Sequence, residues 1–197
     1  MSNVKEVQNP VKKESSFIKK LLEKATVLSG VLIGITTIVM SVKHNDKFTF
    51  LHPHVPETWD IEAKITLLGL VSSCIGGFLL LCVMICGNLR FMGNYNPVGN
   101  IDPPTIQVMN RILQNSVEQI LIFLPNLLYW TFKYSTEQNK QEVLVLGFLF
   151  LVGRVLFLIG YFVGTLLNWQ TMRSLGMAMT YFPSLILIQR NLGFNLV

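Results

Sequence analysis

Arg111, Asn115 and Glu118 stand at spacing i, i+4, i+7 and so share one face of a helix. A guanidinium, an amide and a carboxylate in that arrangement can hold a small polar anion and its counter-charge. Their surroundings sharpen the point. From Ile120 to Phe132 the chain is apolar apart from Asn126 and Thr131, so Glu118 is carried into a hydrophobic span. A lone charge there costs about 3 kcal/mol or more, and it calls for a partner. Arg154, inside the next apolar run, is the simplest one. Tyr161 follows Arg154 by seven residues on the same helical face, and Arg173 comes just beyond that run.

Composition explains why such charges are costly. The 197 residues are 51% hydrophobic and 14% charged, with mean hydropathy +0.48, whereas soluble domains carry about a quarter charged residues. One domain embedded in a bilayer follows. The formal net charge of +5 does not point to nucleic acid, because the basic residues flank apolar runs, where they set membrane orientation. Cys74, Cys82 and Cys86 fall within one apolar stretch and read as packing residues. His52 and His54 sit in a proline-flanked loop with no third ligand in register, and no metal site is expected.

The elements that must position the polar residues are membrane helices. About 20 apolar residues cross a bilayer, and the sequence predicts five spans, at 25–42, 65–89, 105–132, 143–167 and 174–189. Gly30 with Gly34, and Gly69, Ser73 and Gly77, form small-residue stripes suited to close helix contact. Pro125 and Pro183 fall inside spans, where proline removes a backbone bond. Tyr129 and Trp130 suit a membrane interface. Phe17, Ile18, Leu21 and Leu22, among Lys19, Lys20 and Lys24, predict a short basic helix on an anionic surface. With a cytosolic N-terminus, nine Lys and Arg fall on the cytosolic side and six opposite, the bias expected of a membrane protein. Glu118 then lies ten residues past Val108 and Arg154 eleven past Val143, about 15 and 16 Å deep, near the midplane of a core about 30 Å thick. A buried ion pair of Glu118 with Arg154 is therefore expected. Arg111, Asn115, Tyr161 and Arg173 should line a cytosol-facing cleft around it.

Arg111-x-x-x-Asn115-x-x-Glu118 with Pro125, then Gly153-Arg154-Val155 with Tyr161, Arg173-Ser174 and Pro183, together resemble the membrane-associated proteins in eicosanoid and glutathione metabolism, the MAPEG family. The wording of 114–119 and 173–183 is most similar to its mattrin-like branch. The resemblance implies an all-α integral membrane bundle assembling as a homotrimer, with glutathione held between subunits. It implies a four-helix family core at 63–190, an extra transmembrane helix and loop at 25–62, a basic tail at 1–24 and a C-terminal tail at 191–197. By matching position, Asn115, Glu118 and Tyr161 correspond to glutathione contacts, and Arg154 to the arginine of a buried ion pair. Arg111 and Arg173 would hold carboxylates, and Arg173 would be the catalytic cation that favours a thiolate. Gln114 stands where related enzymes have an arginine, Met177 where a tyrosine is expected, and Arg173 fits only if the preceding turn is longer. Two functions follow. One is a glutathione-dependent transferase, peroxidase or isomerase acting on a lipophilic small molecule. The other is a non-catalytic protein that binds membrane lipid or a protein partner. An endomembrane, endoplasmic reticulum or lysosome, is the expected location.

Overall fold

The computed structural model describes residues 10–44, 48, 51, 57–93, 102–167 and 169–193. These form five α-helices and no strand: α1 (Pro10–Lys43), α2 (Ile61–Met92), α3 (Pro104–Lys133), α4 (Lys140–Leu166) and α5 (Ser174–Asn191). His52 and His54 lie outside the described residues.

Ile18–Lys43 within α1, α2 and α4 are each long and apolar enough to cross a bilayer. α3 and α5 are more polar. α3 carries Arg111, Asn115 and Glu118, and α5 has only 18 residues. Together the helices make an integral membrane bundle. α1 differs from expectation, because the basic turns at 18–24 are not a separate surface helix. They continue unbroken into the span. No proline or glycine lies between Val11 and Ser29, and Lys, Glu and Leu all favour helix, so nothing stops the helix where hydropathy changes.

Local chemistry sets the other helix starts. Asp60 caps α2 by accepting from the Ala63 amide at 2.8 Å, which satisfies one of the free donors of the first turn. α3 begins with Pro104, at the position where a missing N–H costs nothing. Both Pro125 and Pro183 lie within continuous helix.

Glycines let backbone meet backbone. A Cβ on Gly153 would stand 2.8 Å from the Met179 carbonyl carbon, and one on Gly160 would stand 2.6 Å from the Met172 oxygen. Gly176 is seated against the Phe157 backbone in the same way. These contacts fasten α4 antiparallel to α5. Gly30 meets Ser174 and Gly34 meets Ala178, so α1 runs parallel to α5, as expected of a close-contact pair. A Cβ on Gly69 or Gly77 would instead meet nothing within 4 Å among the described residues, and with Ser73 they are exposed on α2. Around the seams, Phe123 stacks on Phe150 at 4.0 Å between centroids. Trp130 turns into this core at 2% exposed rather than toward an interface, while Tyr129 stays outside and accepts from the Lys133 ammonium at 2.7 Å.

The starts of α1, α3 and α5 and the ends of α2 and α4 therefore share one end of the bundle. That end gathers Lys19, Lys20, Lys24, Arg90, Arg111 and Arg173.

Candidate functional site

Among the described residues Arg154 is the largest fully buried side chain, at 1% exposed. Its place follows from the spacing of α4, whose buried face carries Phe150, Arg154, Phe157 and Tyr161. The guanidinium donates through Nη1 to Asn115 Oδ1 at 3.1 Å and through Nη2 to Ser116 Oγ at 2.7 Å. Ser116 can accept because its own proton goes to the Ile112 carbonyl at 2.7 Å, leaving lone pairs free. The Phe157 ring lies 4.6 Å from the guanidinium carbon, within cation–π range. Nε is buried without a partner.

Glu118 is not the partner. Among the described residues no ion pair to Arg154 forms. Glu118 is exposed and accepts from Gln114 Nε2 at 3.0 Å. The reason is angular. α3 buries Met109, Ile112, Ser116, Ile120, Phe123 and Leu127 along one stripe. Glu118 comes two residues after Ser116, about 200° around the axis. Arg111 is exposed on the same outward side, and Asn115, at the boundary, is the one member of the triplet that reaches Arg154. Arg154 does stand level with this turn of α3, but Glu118 points away from it.

Toward the end where α5 begins, Tyr161 is 9% exposed. Its ring meets Phe157 edge-on, with centroids 5.7 Å apart. The Arg173 guanidinium carbon lies 4.9 Å from the Tyr161 centroid, so these two predicted residues do come together. Arg173 closes a short 3₁₀ turn, Gln170–Arg173.

Two polar clusters escaped the sequence reading. At the opposite end of the bundle, Arg190 Nη2 pairs with Glu142 Oε1 at 3.5 Å. Beside it Asn191 Nδ2 donates to Asn126 Oδ1 and to the Asn126 carbonyl, each at 3.0 Å. At the Arg111 end, Asp102 accepts from Arg90 Nη2 and from Asn110 Nδ2, both at 3.0 Å. Glu142 and Arg190 sit at the start of α4 and the end of α5, and antiparallel helices bring those together. That was the available signal. Gln119 is also buried, at 6% exposed, with Oε1 unpartnered.

A polytopic helical membrane protein with a guanidinium hydrogen-bonded inside its bundle is the class that this architecture defines. Compared with protein-family models, residues 67–193 match the MAPEG family. That is nearly two thirds of the 197 residues, and the chain belongs to that family. No curated protein and no solved structure matches it.

Proposed function

We propose that the protein assembles as a homotrimer and binds glutathione in a cytosol-facing cleft between subunits, where it conjugates, reduces or isomerises a lipophilic small molecule. The observation that carries this reading is Arg154. A buried cation held only by neutral partners, with one N–H unused, keeps charge available for an anion from outside its own chain. Glutathione, which carries a net negative charge, would be drawn toward that cation. Arg111 and Arg173 would hold the carboxylates, Glu118 the ammonium, and Asn115 and Tyr161 the polar backbone. Arg173 would favour thiolate over thiol, because a nearby cation lowers a thiol pKa from about 8.5. Two surfaces left open by the chain support assembly: the Gly69, Ser73 and Gly77 stripe on α2, and Arg111 with Glu118 on α3. Gathering of Lys and Arg at the end where α1, α3 and α5 begin supports a cytosolic N-terminus. An endomembrane, endoplasmic reticulum or lysosome, suits the reading.

A second reading is a non-catalytic protein of the mattrin-like branch, acting on membrane lipid or a protein partner. What favours it is the Tyr161 phenol ring, largely buried beneath Arg173, where both can serve packing alone. Calorimetric titration of the purified trimer with glutathione separates the two. Saturable millimolar binding, weakened about ten-fold or more by Arg111→Ala and by Arg173→Ala, is expected for the first. No binding at millimolar glutathione leaves the second.

A further inference from the structure

α1 touches α5 through Gly30 and Gly34, and beside that seam the two helices part. Two adjoining cavities lie there, sharing Val27 and Val31, and together they make a groove. Its wider end, about 570 Å³, is bounded by Lys20, Glu23 and Lys24 on α1 and by Thr171 in the turn before α5. Val27 and Val31 line that end and also the next stretch, about 450 Å³, which Met177, Tyr181 and Leu185 continue along α5. The groove is thus polar at one end and apolar along its length. From Ser174 to Leu185 is eleven residues, about 16 Å, the length of a dozen or so methylenes.

Two observations at the polar end say what would lie there. Lys20 and Lys24 are one turn apart and exposed, and with Glu23 they leave a net positive rim. Thr171 lines the same end, and its Oγ1 lies just beneath the surface, buried and without a hydrogen-bond partner. An acyl chain alone would use neither feature. A zwitterionic headgroup would bring its own cation against the lysines.

We infer that the α1–α5 groove is a binding site for one anionic phospholipid, its phosphate between Lys20, Lys24 and Thr171 and an acyl chain along Val27, Val31, Tyr181 and Leu185. One wall of the site, α1, lies outside the matched family region, residues 67–193, and the site does not depend on glutathione. Its use is to tie α1 to the core in the leaflet on the N-terminal side.

The test is native mass spectrometry of the full-length protein, delipidated in detergent and titrated with dioleoyl phosphatidylglycerol or dioleoyl phosphatidylcholine. One phosphatidylglycerol per chain should be retained about ten-fold or more over phosphatidylcholine, given the strength of two lysines near an anionic surface. The Lys20→Glu/Lys24→Glu pair should abolish that preference, and Val31→Trp should lower retention by filling the groove. Lys19→Glu, a neighbouring exposed lysine outside the groove, should leave both unchanged. The charge variants are at exposed positions, so they carry the test even if Val31→Trp fails to fold. Equal retention of the two lipids, or equal loss in Lys19→Glu, would overturn the site. So would retention of oleate without phosphatidylglycerol, which would assign a fatty-acid carboxylate instead.

Discussion

Two charged side chains are buried among the described residues, and they are treated differently. Glu142, at one end, is closed by an arginine of its own chain. Arg154, at 1% exposed, is closed by neutral groups, an amide, a hydroxyl and the Phe157 ring. The first arrangement is neutral and complete, as a structural clasp should be. The second keeps a net positive charge inside apolar surroundings, at a cost that its neutral partners offset in part and that a further anion would offset more fully. Within one chain the far end is finished and the Arg154 region is not.

The contrast can be broken by removing one partner at a time. Arg190→Ala should have the largest effect, because it leaves the Glu142 carboxylate buried and unpaired. A loss of about 3 kcal/mol is expected, read as a lowered thermal midpoint of the purified protein, and Glu142→Leu/Arg190→Leu together should recover most of it. Arg154→Met comes next, with a smaller loss of about 1–2 kcal/mol, since its partners are neutral hydrogen-bonding groups. If glutathione binds, the same variant should lose that binding while keeping most of its stability. A stability loss exceeding that of Arg190→Ala would reverse the comparison. Ser116→Ala should be mildest, about 1 kcal/mol, because Asn115 still accepts from the guanidinium; unchanged stability would mean the 2.7 Å contact contributes nothing net.

Hydropathy placed four helices well and misread the first. It marked a boundary near residue 24, but solvent preference changes there while helix propensity does not, so α1 runs through. Segment lengths set Arg154 level with Glu118, within a turn of the Asn115 and Ser116 that it contacts, and the family resemblance agrees with the matched region 67–193. Direction around α3 was lost. The polar triplet was read as a face turned inward, although the apolar stripe through Ile112, Phe123 and Leu127 already pointed the interior elsewhere. Ser116 was overlooked because a serine in a span looks like a small packing residue until a guanidinium is set against it. Glu142 falls at the edge of a polar loop and Arg190 at the end of the last span, and only the antiparallel packing of α4 on α5 makes them a pair. The Tyr161 and Arg173 neighbours were legible because a short turn leaves them few other places to go.

Side chains that interdigitate can slip past one another by changing rotamer, but main chain laid on main chain has no such freedom. Met179, Met172 and Phe157 meet Gly153, Gly160 and Gly176 in that second way. α4 and α5 are thereby welded into a single beam that bears Arg154 partway along and the Glu142–Arg190 clasp at its tip. Room for any guest at Arg154 has to come from α1, α2 or α3 tilting against that beam, never from the beam shearing along its own length.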